Sequence, residues 1–198
     1  GEGDVFCKLV SLWQLQRYFS NARGYTDMYK DFYERVRTSP DKPNAGEQQL
    51  DFVRAICEIT QTDLLRFFTR WGYLSPFDGT LDDYGVGSFK ITQDQIDNLI
   101  AEIQANNYTP LEEKIEYICD ANWHVFRDRL PVQSGTATKN GAVITMNGWK
   151  NVVAYEVYEN DALVFVSNKS SFTLDSPVTS DTKVYAVAYS GSKTEVAF

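Results

Sequence analysis

The sequence predicts a multidomain α plus β protein, with an all-α helical subdomain over residues 1–130 followed by a small antiparallel β-sandwich over residues 131–198. Three observations point there. The hydrophobic period changes near Leu130-Pro131, from helical spacing before it to alternation by twos after it. The charge follows the same division: residues 1–130 hold 14 Lys+Arg and 21 Asp+Glu, a net of −7, whereas residues 131–198 hold 5 and 6, a net of −1. All three cysteines, Cys7, Cys57 and Cys119, lie in the first part.

The helical part reads as a series of capped amphipathic segments. Asp4 can cap VFCKLVSLWQLQRYFSNA, whose Phe6, Leu9, Val10, Trp13 and Phe19 make a wide apolar stripe, and Gly24 suits a left-handed C-terminal position. Thr26 or Asp27 can start MYKDFYERVR, with Met28, Phe32, Tyr33 and Val36 on one side. SPDKPNAG (39 to 46) is a loop by composition. EQQLDFVRAICEIT follows, with Leu50, Val53, Ile56 and Cys57 at helical spacing. Thr62 or Asp63 can cap the next helix and Gly72 can end it; between them Leu64, Leu65, Phe67, Phe68 and Trp71 form one face. LSPFDGTLDDYGVGSF (74 to 89) reads as an acidic, glycine-rich loop. Thr92 caps QDQIDNLIAEIQAN, and Tyr108-Thr109-Pro110 leads into an expected last helix, LEEKIEYICDAN.

After Pro131 the strand candidates are AVITMNGW, VVAYEVYE, ALVFVSN, SFTLDS, KVYAVAYS and KTEVAF, with turns at Asn160-Asp161 and Gly191-Ser192. Short strands at this regular spacing imply a sandwich.

Composition narrows function. Hydrophobic residues are 43% and charged residues 23% of the chain, enough apolar material for a packed core rather than a disordered segment. A formal net charge of −8 disfavours nucleic acid, which requires a basic surface to displace counterions. No apolar run is long enough for membrane insertion. The odd cysteine count leaves at least one thiol outside any internal pairing, and the apolar settings read as buried thiols. The start, GEGDVFCKLV, reads as the interior of a longer protein, so the chain is expected to be a fragment.

Catalytic chemistry is sparse. The single histidine, His124 in ANWHVFRDRL, has no nucleophile or metal-ligand motif around it and is expected to be structural. There is no Walker A loop, no G-x-G-x-x-G and no G-x-S-x-G elbow. The Asp78, Asp82 and Asp83 spacing does not fit an EF-hand loop. No catalytic residue and no metal ligand is assigned. Candidates for substrate contact are Trp71, Tyr73, Asp82, Asp83 and Tyr84, at a helix end and the loop after it, with Trp149 in the sandwich. An aromatic ring stacks on a sugar face and a nearby carboxylate accepts its hydroxyls; against this stands plain core packing.

The helical part also carries a resemblance. LVSLWQLQRYF (9 to 19), GYTDMYKDFYERVR (24 to 37) and QLDFVRAICEITQTDLLRFFTRWGYL (49 to 74), followed by DDYG and ITQDQIDNLIAEI, resemble the C-terminal helical region of the enhancin-type zinc metallopeptidases, a mucin-degrading family of gut bacteria and insect viruses. The resemblance covers roughly residues 5 to 108. In that family an H-E-x-x-H helix and a downstream Glu bind zinc, and the Glu within the motif serves as base on the metal-bound water. This chain contains no H-E-x-x-H, so none of those residues carries over. The resemblance implies no cofactor in this chain, zinc in the parent protein, an upstream catalytic domain of the same polypeptide as partner, a glycoprotein substrate, and a secreted or cell-surface location. The second part, with NVVAYEVYEND, SFTL and KVYAVAYSGS, is similar to fibronectin type III-like modules. A glycan-binding module and a non-catalytic scaffold are the alternative functions.

Overall fold

The computed structural model describes residues 4–82 and 86–198, and their helices and small, mostly antiparallel sheets make a mixed α/β fold. The chain divides into two compact units. One takes the residues as far as Leu12 together with Gly24–Leu111; the other takes Trp13–Arg23 together with Glu112–Phe198. The second unit thus groups the helical residues 13–23 and 112–130 with the strands that follow Leu130-Pro131.

In the first unit, α1 (Asp4–Gln16, of which this unit takes the part up to Leu12), α2 (Met28–Arg37), α3 (Ala45–Thr60), α4 (Leu65–Arg70) and α5 (Gln93–Ala105) enclose a core of Met28, Val53, Ile56, Leu64, Phe68 and Leu99, each at most 1% exposed. Two short strands, β1 (Thr62–Asp63) and β4 (Thr109–Pro110), pair in parallel. Where a loop is expected over residues 74–89, β2 (Phe77–Asp82) and β3 (Val86–Ile91) pair antiparallel, with Phe77 opposite Ile91 and Asp82 opposite Val86. The region is thus not all helical.

The hairpin is tied down by the start of α3. The Asn44 side-chain oxygen accepts N–H bonds from Gly46 (2.8 Å) and Glu47 (3.1 Å), capping the helix, and a third from Lys90 of β3 (3.2 Å). Gly46 lets the two backbones meet: a Cβ there would lie 2.3 Å from the Lys90 carbonyl oxygen. Asn44→Ala removes the cap and the hairpin anchor together. Its expected cost is about 2 kcal/mol, the upper end for a cap, read as a lower urea midpoint with an unchanged slope. At α5 the Thr92 cap is reciprocal, with Thr92 Oγ1 accepting from the Gln95 N–H and the Gln95 side chain accepting from the Thr92 N–H.

In the second unit, a π-helical segment, Arg17–Ala22, continues from α1. Arg23 pairs with Glu113 through one guanidinium nitrogen and donates to the Phe126 carbonyl (2.9 Å), joining this segment to the helical tail. The expected helix 111–122 is only a 3-10 turn, Ile115–Tyr117, before α6 (Trp123–Asp128). The backbone of this stretch bonds outward instead. Lys114 N–H donates to the Tyr189 carbonyl (2.7 Å), and Asn122, 6% exposed, donates to the carbonyls of Tyr117 and Val153. These partners replace the bonds a helix would have supplied.

Seven strands follow: β5 (Thr136–Asn140), β6 (Val143–Asn147), β7 (Ala154–Glu159), β8 (Ala162–Ser167), β9 (Ser171–Thr173), β10 (Thr182–Val187) and β11 (Lys193–Glu195). They form a three-stranded sheet in the order β5-β6-β9 and a four-stranded sheet in the order β11-β10-β7-β8, with every pairing antiparallel. Ile144, Met146 and Phe172 from the first sheet share one core with Tyr155, Val157, Val184 and Ala186 from the second. The alternation read in the sequence is the inward face of these strands.

Candidate functional site

Trp71 and Tyr73 sit at the end of α4, and the local backbone explains both positions. Gly72 has φ +75°; its N–H donates to the Thr69 carbonyl (3.0 Å), and the Tyr73 N–H reaches back to the Phe68 carbonyl (2.9 Å). This is the Schellman ending, and its usual apolar contact is present as the Tyr73 ring on Phe68, centroids 5.3 Å apart. The same ring lies 5.8 Å from Phe52, and the Tyr73 hydroxyl shares a 2.7 Å hydrogen bond with Ser11 Oγ. Tyr73 therefore extends a run of edge-packed rings, Phe32–Phe52–Phe68–Phe67. Trp71 is half-buried beside it.

The acidic candidates fall further along. Asp82 ends β2, at the far end of the hairpin from Phe77; Asp83 and Tyr84 lie outside the described residues. Asp78 is exposed and pairs with Lys90 across the hairpin at 2.8 Å. Trp149, in the second unit, is half-buried against the shared core, and its indole N–H donates to the Thr136 carbonyl (3.1 Å).

The second unit holds a dense polar cluster that the alternating strand pattern hid. Glu156 on β7 is 3% exposed, on the sheet face opposite the shared core. It accepts from Tyr117 (2.6 Å) and Tyr158 (2.7 Å), and it pairs with Lys193 of β11 at 2.7 Å. Lys193 also lies over the Tyr158 ring, 4.6 Å from its centroid. Burial by itself would raise the Glu156 carboxyl; the Lys193 ammonium and the Tyr117 and Tyr158 hydroxyls outweigh it and hold the group below its usual value. The arrangement is a satisfied buried ion pair, which positions the helical tail against the sheet.

The remaining reactive groups are placed without chemical partners of the catalytic kind. His124 is exposed on α6. Cys57 is fully buried, and burial pushes its thiol up to about 12, so it stays protonated and inert. Cys119 is half-buried, with its sulfur 3.8 Å from Asn168 Nδ2. Among the described residues no three His, Cys, Asp or Glu side chains converge as a metal site would require. Among the described residues no helix is long and apolar enough to cross a membrane.

Solved structures resemble the whole chain. A metallopeptidase from Bacteroides thetaiotaomicron matches 96% of this chain over 36% of its own, at 20% identity and a TM-score of 0.73. A metallopeptidase in complex with Tn antigen matches 94% of this chain over 39% of its own, at 20% identity and a TM-score of 0.69. The M60 catalytic domain of Clostridium perfringens ZmpC, solved with the sialyl T antigen, matches 96% over 35% of its own, at 19% identity and a TM-score of 0.57. No protein-family model matches the sequence, and no curated protein does. At these identities the likeness is one of fold, to M60-type metallopeptidase catalytic modules. The chain spans little more than a third of those structures.

Proposed function

We propose that the chain is the C-terminal part of a secreted or cell-surface, enhancin-like zinc metallopeptidase that acts on host glycoproteins such as mucins. The observation that carries this reading is fold likeness over nearly the whole of this chain to just over a third of metallopeptidase structures, two of them complexes with glycan antigens. On this reading the zinc, the H-E-x-x-H helix and the attacking water belong to residues preceding these 198. On the same reading the helical part forms a wall beside that cleft, and residues 131–198 are a fibronectin type III-like module. The described residues offer side chains for packing, hydrogen bonding and glycan contact, and no nucleophile–base pair.

Metal content tests the reading separately from activity. Elemental analysis after dialysis is expected to give one zinc per molecule for a polypeptide extended upstream through the H-E-x-x-H helix, and well below stoichiometric zinc for these 198 residues. Stoichiometric zinc in the 198-residue chain would overturn the assignment of the metal to the upstream part.

A further inference from the structure

We propose that the cleft between α2, α3 and the loop joining them is a binding site for a neutral sugar. It has a volume of about 350 Å³, within the usual range for small-ligand sites. Phe32 and Val36 of α2 and Phe52 of α3 form an apolar floor, with Asp41, Lys42 and Gln48 at the rim.

Two further observations point to a ligand. Tyr33 and Val36 share one side of α2 with Met28 and Phe32, and they are 66% and 43% exposed. They stand three residues apart on one helix face, and the Tyr33 ring, 5.5 Å from that of Phe32 in the cleft lining, is largely exposed next to it. The second observation is charge balance. Arg35, Lys42 and Arg54 all approach Asp51, at 3.7, 3.5 and 3.0 Å, and two of them have further carboxylates: Arg35 at Glu58 (2.9 Å) and Arg54 at Glu102 (2.8 Å). These cations are matched by carboxylates, so the cleft offers hydrogen-bonding groups with little net field for an anion. An apolar floor, a largely exposed tyrosine ring and a balanced polar rim suit a pyranose, whose C–H face stacks on a ring while its hydroxyls meet the rim.

Other occupants fit less well. No strand lines the cleft, so an extended peptide has no edge to pair with. Two exposed apolar side chains are far short of the roughly 800 Å² per partner that a stable dimer buries. The proposal deepens the glycoprotein reading by naming a sugar-contacting surface on this chain, and it fails independently, because its test requires neither zinc nor cleavage.

The test is a titration of the ¹⁵N-labelled 198-residue chain with methyl α-N-acetylgalactosaminide and, separately, methyl α-galactoside, followed by amide shifts. At least one sugar is expected to bind saturably, with shifts centred on residues 32–52. Tyr33→Ala is expected to weaken binding about 10-fold, as loss of one stacked ring does, and Tyr33→Phe to retain it. No saturable shifts from either sugar, shifts centred elsewhere, or unchanged affinity in Tyr33→Ala would each overturn the proposal. So would sedimentation showing a dimer that Tyr33→Ala disperses, since the exposed face would then belong to a second copy. Loss of the shifts in the upstream-extended polypeptide would overturn it as well, by showing the face covered there.

Discussion

Glu156→Ala is expected to destabilise the second unit by about 2–4 kcal/mol. Removing one member of a buried ion pair strands the other, and here it also removes the carboxylate that accepts from the Tyr117 and Tyr158 hydroxyls. The figure is set below the fully buried case because Lys193 is 37% exposed and regains water when its partner is lost. The pH dependence has a definite sign. The folded Glu156 carboxyl lies below its unfolded value of about 4.3, so its contribution is complete above that pH and is lost as pH falls through the folded value. Burial opposes the charge on Lys193, but Glu156 and Tyr158 together raise its folded value. Its contribution is therefore present below about 10.4 and is lost as pH rises through the folded value. Between these limits the pair contributes equally at every pH. Urea unfolding of Glu156→Gln should therefore show lower stability than the parent at pH 7 and a smaller loss between pH 5 and 3. Equal acid sensitivity in the two proteins would remove the pair from the account.

Phe68→Ala is expected to cost the first unit about 3–5 kcal/mol. Phe68 is fully buried and meets the rings of Phe52, Phe67 and Tyr73 at 5.6, 5.4 and 5.3 Å. Its carbonyl also receives the Tyr73 N–H that closes the helix. Truncation leaves a cavity among aromatic neighbours that cannot close over it. Trp71→Ala, at a half-buried position, is expected to cost less than half as much. Urea unfolding of the two variants separates packing from surface contact in the stretch QTDLLRFFTRWGYL. Comparable losses in both would mean that Trp71, too, belongs to the core.

The elements most legible in the sequence are those whose signals are local. Helix α5 follows from Thr92 and the Ile96, Leu99, Ile103 spacing, and the end of α4 from Gly72, each settled within a few residues. The strands from β6 onward follow from alternation for the same reason, whereas β5, TATKN, is not among the strand candidates. The β2–β3 hairpin was hidden because FDGTLD and VGSFKI carry few β-branched residues; its support comes from Asn44 and Gly46, more than 40 residues away from Lys90. The helix expected over 111–122 has helical composition, but Asn122 and the Tyr189 carbonyl take its hydrogen bonds, and no local pattern records a partner so distant. The sites divide in the same way. Tyr73 read as a helix-end residue open to a ligand, and its ring and hydroxyl are both engaged within the fold. Met28, Phe32, Tyr33 and Val36 read as one side of a helix by their spacing; the structure buries Met28 and leaves Tyr33 and Val36 exposed. Periodicity marks which residues share a face; it does not say whether anything covers that face.

The most direct test of the proposed role is cleavage of an O-glycosylated mucin by the polypeptide extended upstream through the H-E-x-x-H helix, run beside the 198-residue chain, each with and without a zinc chelator. The account predicts cleavage by the extended protein alone, abolished by the chelator and restored by added zinc. Chelator-sensitive cleavage by the 198-residue chain itself, or an extended protein that holds zinc and leaves both glycosylated and deglycosylated mucin intact, would contradict it.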